Sequence, residues 1–234
     1  MNDPRASSLC DNLLIPFHGF GLAYFGFTAL SLILNVAPLP PLEAQKSLPD
    51  TLAVLSFLIS AMAFSYFCLR HRFAPQYRVA QQTTVITLIA ASTASFVFFQ
   101  YRFDTPTRCF YTAAVWLTHG SYISSFLKGE TSFISTCLQC GLLALVPAVY
   151  ATFRASSCQL PMTYNFAIYA ASNAIGGLIY LIRLPEKFGA PVSSSKAIMH
   201  ISVVGAAMVL SERLLAAHNS STVFSIEECK GLKC

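Results

Sequence analysis

Only a few groups in this 234-residue chain have types and spacings that could do chemistry, and most stand inside long apolar runs. Lys196 and His200 are one helical turn apart, so a helix would project both from one face. Together with Glu212, the one acid inside an apolar run, they are the proton donors open to metal-free acid/base work. Glu212 has a plainer reading as a partner of Arg213 or an interfacial, solvated acid, and Lys196 has one as a cation snorkelling to the lipid headgroups. Cys137 and Cys140 have the two-residue spacing of a metal half-site, but no second pair follows, so packing thiols are expected there. His119, Ser121 and Tyr122 form a polar group inside one run and Asn173 stands alone in another; interhelical hydrogen bonding and ligand contact are both open to them. The sequence has no His-Glu-x-x-His pair, Gly-rich phosphate loop or nucleophilic-serine motif.

The elements that must position these groups follow from composition. Hydrophobic residues make up 55% of the chain and charged residues 11%, with a mean hydropathy of +0.57. Soluble domains carry roughly 25% charged residues, so lipid must be the solvent for most of this chain. Apolar windows predict helices at about 12–36, 51–69, 79–99, 110–127, 131–153, 162–183 and 197–217. Helices are required because lipid offers no partners for backbone polar groups. The expected fold is all-α: a polytopic, seven-transmembrane-helix bundle, with residues 1–217 as one membrane domain and 218–234 as a tail. The first run is read as a true span, since an acidic rather than basic segment precedes it and no small-residue cleavage site follows. Ala37–Pro49 reads as a stiff Pro-rich loop, and Pro147 as a kink in the fifth span. Small residues around Ala170–Gly177 and Gly205–Ala207 predict close helix packing.

Orientation follows from the basic residues of alternate connections. One side holds Arg5, Arg70, Arg72, Arg78, Lys128, Arg183, Lys187 and Lys196, eight in all; the other holds Lys46, Arg102, Arg108 and Arg154, four in all. The amino terminus is therefore predicted cytoplasmic and the carboxyl terminus lumenal or extracellular, in an endomembrane or the plasma membrane. The triplet Asn219-Ser220-Ser221 agrees, as a glycosylation acceptor usable only on the lumenal side. Cys109, Cys158, Cys229 and Cys234 would share that side, either paired or free. The basic residues are scattered between apolar runs, so no nucleic-acid surface is expected and the net charge of +5 reads as topology.

From about residue 50 to 217 the chain resembles the progestin and adipoQ receptor family, also called hemolysin III proteins. Arg183-Leu184-Pro185-Glu186-Lys187-Phe188 is similar to the family's Arg-x-Pro-Glu-Arg-Phe segment, and Ser195 to Val204 to its Ser-His-Gln-Ile-x-His-x-x-Val-Val. Ser60 to Phe64, followed by Cys68, resembles the second-helix Ser-x-x-x-His. Gln81 to Val85, ending at Ser92, resembles the third-helix Asp-Tyr-x-Gly-Ile start; the first helix matches loosely around His18.

The resemblance implies a seven-helix bundle, a lipid-sized internal cavity, and a zinc held near the cytoplasmic face by three histidines beside an aspartate, where it would activate a water. It also places Ser60, Phe64 and Gln81 opposite the Lys196 and His200 face. This chain has Phe64, Gln81 and Lys196 at three of those positions and retains only His200, whereas a catalytic zinc needs about three protein ligands. A metal and cofactors are therefore not expected. The Lys196 ammonium could stand in for the metal's charge, with Phe64 as a cation–π face and Gln81 as acceptor. The expected function is binding of a sterol or other lipid in signalling or homeostasis. The alternative is a metal-free cyclase or isomerase of prenylated or terpenoid compounds. An unrelated channel or transporter is disfavoured, because neither charged pore-lining residues nor half-helices are visible. A hydrophobic small molecule and the membrane are the expected partners; oligomeric state is open.

Overall fold

The computed structural model describes residues 4–36, 41–154 and 160–221, with side chains over 12–35, 48–153 and 161–219. Eight α-helices follow in order among them: α1 (Pro4–Val36), α2 (Pro41–Phe73), α3 (Arg78–Gln100), α4 (Thr105–Leu127), α5 (Phe133–Arg154), α6 (Leu160–Ile182), the short α7 (Leu184–Lys187) and α8 (Ser194–Ser221). A 3-10 turn at Pro75–Tyr77 joins α2 to α3. No strand occurs among the described residues.

Among the described residues six segments are long and apolar enough to cross a membrane: Asn12–Asn35, Leu48–Phe73, Pro75–Gln100, Phe133–Phe153, Pro161–Ile182 and Ser194–Asn219. The described residues are thus all-helical, those of a multi-pass membrane protein. The predicted seventh span coincides with α4, which has the length at 23 residues but not the apolarity, because Thr107, Arg108, Thr118, His119 and Ser121 dilute it. The expected loop at 37–49 is corrected over its second half. Pro41 takes the first helical position, where its missing N–H has no bond to lose, and α2 runs on through Pro49.

Short connections return each long helix alongside the one before it. Asp104 caps α4 by accepting the Thr107 N–H at 3.2 Å, and Gly129, at φ +76°, turns the chain after it. Ser132 accepts the Ser135 N–H at 3.2 Å at the start of α5. Helix α3 is the centre of the bundle, touching α2, α4, α5, α6 and α8. Its small residues from Ala90 to Ser95 are buried without a break, which lets neighbours close on it from several sides. Farther along α3, Phe96 stacks on Phe166 of α6 at 4.3 Å. Among the described elements helix α4 touches only α3 and α5, and it buries just Val115 and His119. Phe27, Leu117, Leu142 and Phe153 point outward, as apolar side chains do when the surrounding solvent is hydrocarbon.

Candidate functional site

Three helices bring together residues that lie far apart in sequence. His18 of α1 sets its Nε2 atom 2.8 Å from Nδ1 of His200 in α8. Cys68 of α2 places Sγ 3.8 Å from the same Nδ1. The three ligand-capable atoms lie within 4.8 Å of one another, and all three residues are buried. From the first turn of α3, Gln81 donates its amide N–H to the Cys68 sulfur at 3.3 Å. A cavity of ≈ 40 Å³ adjoins the cluster, with His71, Arg72 and Lys196 also on its wall.

The local sequence explains why the helices meet here. A Cβ on Gly21, one turn along α1 from His18, would come within 3.0 Å of Ser65 Oγ and 3.1 Å of Val204 Cγ1. Ser65 precedes Cys68 by one turn and Val204 follows His200 by one turn, so the absent side chain draws α1, α2 and α8 together just beneath the three donors. Helix α8 is fixed at its start by Glu186, whose Oε1 accepts the Ser195 N–H at 2.8 Å and the Ser195 hydroxyl at 2.9 Å. The backbone reaches that contact through Arg183, which adopts a left-handed φ of 51°. Outside the spans, the Glu186 carboxyl pays a desolvation cost that favours its neutral form. The Ser195 N–H and O–H and the Arg183 charge outweigh that cost and hold it below the ordinary carboxylate range.

The residues expected from the sequence divide into those at this cluster and those elsewhere. His200 and Gln81 belong to it, and Lys196 lines its cavity, half-buried. Phe64 is buried there, but its ring stacks on His200 at 5.9 Å and 17° and meets His18 edge-on at 5.6 Å. Cation–π pairs form between Arg70 and Tyr77 and between Arg108 and Phe98. Gln81 acts as a donor to sulfur in the contact it makes here. Ser60 is buried and bonds its own helix, Oγ to the Ser56 carbonyl at 2.7 Å.

The others lie apart. His119 is buried on α4, with Nδ1 2.8 Å from the Val115 carbonyl. Asn173 donates to the Tyr169 carbonyl of its own helix at 2.8 Å. The carboxylate of Glu212 accepts the Tyr24 hydroxyl, so the residue that meets it is on α1 rather than the neighbouring Arg213. Asn219 is exposed in the last turn of α8, beside His218 at 3.3 Å. Cys140 is buried, Cys137 half-buried and Cys109 exposed, all as free thiols; Cys158, Cys229 and Cys234 lie outside the described residues. The residues that sequence reasoning left out of the ligand count are His18 and Cys68. The signal for each was a polar or thiol side chain inside an apolar run, which becomes meaningful only when three such residues share one depth.

No protein-family model and no curated protein matches this chain. The zinc that the resemblance implies does not fit the positions the resemblance assigns to it. Phe64 presents a hydrocarbon ring packed on His200, Gln81 turns its amide N–H toward sulfur, and Lys196 is a cation. The cavity is also far smaller than a lipid, since the Phe64, His18 and His200 rings fill the space between α1, α2 and α8.

Proposed function

We propose that this chain is a seven-crossing membrane protein that binds a sterol or other bilayer lipid. On this reading it is a divergent relative of the hemolysin III family, acting in lipid signalling or homeostasis without that family's hydrolytic zinc. The observation that carries the lipid reading is a groove of ≈ 260 Å³ between α6 and α8, whose floor is formed by Tyr169, Ser202, Gly205 and Ala206. Ile168, Ile201 and Val209 on its rim are exposed, so it opens sideways from two membrane-crossing helices toward hydrocarbon. Small-ligand pockets begin at about 300 Å³, so this volume suits a stretch of acyl chain or part of a sterol ring system. The hydroxyls of Ser172 and Ser202 are at hand for a lipid's polar atom.

Gly205 gives a clean test, because a Cβ placed there meets nothing within 4 Å. Gly205→Phe should fill the groove without straining the bundle. A photoreactive sterol and a photoreactive fatty-acyl lipid, each incorporated into vesicles with the full chain, should label α6 and α8 in competition with the unlabelled lipid, and the variant should lose that labelling. Equal labelling of the outward face of α5, around Leu142, would overturn the reading.

The seven-crossing count adds α4 to the six apolar segments, and with the basic asymmetry it puts the amino terminus in the cytoplasm and the carboxyl terminus across the membrane. Protease protection of tags at Met1 and after Cys234 in sealed microsomes should differ. Tags on one face would mean that α4 does not cross.

A further inference from the structure

We propose that His18 Nε2, Cys68 Sγ and His200 Nδ1 together bind one closed-shell, borderline-soft metal cation, Zn²⁺ or Cu⁺, at the basic-rich end of the bundle. The donor set differs from the one the resemblance implies: α1 and α2 supply two new ligands, and only His200 is shared. The site is independent of the α6/α8 groove.

The geometry comes close to what such an ion requires. With metal–nitrogen distances of about 2.0–2.1 Å and metal–sulfur of about 2.3 Å, tetrahedral ligands sit about 3.4 Å apart for nitrogen pairs and about 3.6 Å for nitrogen and sulfur. The observed nitrogen–sulfur distance is 3.8 Å and the nitrogen–nitrogen distance 2.8 Å. A side-chain rotation opening the two imidazoles by about half an ångström brings the nitrogen pair to that spacing, and the separation of His18 from Cys68, within 4.8 Å, closes as both side chains turn onto the ion. The adjoining cavity of ≈ 40 Å³ has room for one ion and a small fourth ligand.

The chemistry of the donors selects the class of ion. Two imidazoles and one thiolate suit zinc and monovalent copper, whereas calcium and magnesium need oxygen ligands that are absent from this set. Gln81, already donating to the sulfur at 3.3 Å, supplies the hydrogen bond that a metal thiolate uses beyond its ligands. Binding converts the Cys68 thiol to thiolate and releases that proton to solvent, while both imidazoles ligate in their neutral form. The thiolate charge offsets Lys196 on the cavity wall. A hydrogen bond between His18 and His200 alone would explain their 2.8 Å contact but not the convergence of a third soft donor on the same nitrogen.

The full chain, purified in mild detergent and stripped with chelator, would be titrated with Co²⁺ as the spectroscopic probe for the zinc mode and with Cu⁺ against a chromophoric chelator. The expected result is one equivalent of either metal, with Co²⁺ giving a near-ultraviolet thiolate-to-cobalt charge-transfer band that Zn²⁺ displaces. Cys68→Ser should abolish the band, His18→Ala and His200→Ala should weaken binding at least about tenfold, and Cys137→Ser should leave it intact. Lys196→Met should tighten Co²⁺ binding, since the divalent ion leaves a net positive charge after the thiolate is counted and a like charge is removed. Helical circular dichroism and gel-filtration profile serve as folding controls. If the ligand variants fail them, the wild-type band and stoichiometry still decide the matter. Absence of both metals at one equivalent, or a band that survives Cys68→Ser in folded protein, would overturn the proposal.

Discussion

The two ends of the bundle handle buried polarity in opposite ways. At the end where α2 begins and α3 and α8 finish, polar groups meet complementary partners. Arg102 donates to Asp50 at 2.8 Å, Thr51 meets His218 at 3.0 Å, Thr163 donates to the Gln100 side chain at 3.0 Å, and the Tyr101 hydroxyl donates to the Pro147 carbonyl at 2.6 Å. These contacts tie α2, α3, α5, α6 and α8 into a clamp. At the other end His18, Cys68 and His200 turn three groups able to act as electron-pair donors toward one another, with no carboxylate among them. Among the described residues His18 Nδ1 meets no hydrogen-bond partner. Leaving a buried polar atom unpaired costs about 1–3 kcal/mol. A matched network is explained by the stability it confers, whereas convergent like donors point to a ligand.

Substitutions can break or sharpen that contrast. The largest loss of stability is expected from Asp50→Ala, which removes the carboxylate that Arg102 meets at the clamp. Breaking fully buried pairs costs about 3–5 kcal/mol, and because the Arg102 side chain is 27% exposed, about 2–3 kcal/mol is expected here. Thermal unfolding in detergent should show the drop. Cys68→Ser, at the other end, should barely move the unfolding midpoint of chelator-stripped protein while removing the metal band. A fall as large as that of Asp50→Ala would mean that the cluster is a second clamp.

Next in size is Gly176→Ala. A Cβ there would lie 2.7 Å from Ser202 Cβ and 3.5 Å from Met199 Cα, so α6 must move off α8, at a cost of about 1–3 kcal/mol. Gly177→Ala meets nothing within 4 Å and should be neutral by the same measurement.

Glu186→Gln should cost about 1 kcal/mol through the weakened cap on α8. The native carboxyl lies below its ordinary value, so its contribution is fully present above the unfolded carboxylate pKa of about 4.3 and is lost as pH falls through the lower folded value. The midpoint of the variant, plotted against pH, should lack that acid limb.

Little effect on stability is expected at Lys196 either, where Arg and Met variants should unfold within about 0.5 kcal/mol of the native chain. Their metal affinities should diverge, because Met removes the opposing charge and Arg keeps it. Identical affinities in the two would reduce Lys196 to a headgroup anchor.

Much of the helical framework was legible in the sequence, since a run of apolar residues long enough to cross lipid has one local solution. The limits of that reading are equally local. Pro41 and Pro49 look like loop residues, yet α2 carries both, because a first-turn proline loses no bond and the flanking residues keep the helix going. Close packing was expected from Gly176, Gly177 and Gly205 alike, but among these glycines only Gly176 is pressed by another helix, while Gly205 lies open on the groove. Residue type alone does not say which face of a helix meets a neighbour.

The sequence by itself determined the solvent, the helical class, the approximate spans and the basic bias between alternate connections. Each is a sum over nearby residues, which lipid transfer and backbone satisfaction fix without knowledge of packing. The tertiary structure alone decided that His18 meets His200 across 182 residues of chain, that Cys68 joins them, and that Glu212 turns to Tyr24. Those outcomes depend on the depth and rotation of α1, α2 and α8 relative to one another. Both are set by close approaches such as that of Gly21 to Ser65 and Val204, and no local stretch of sequence contains them.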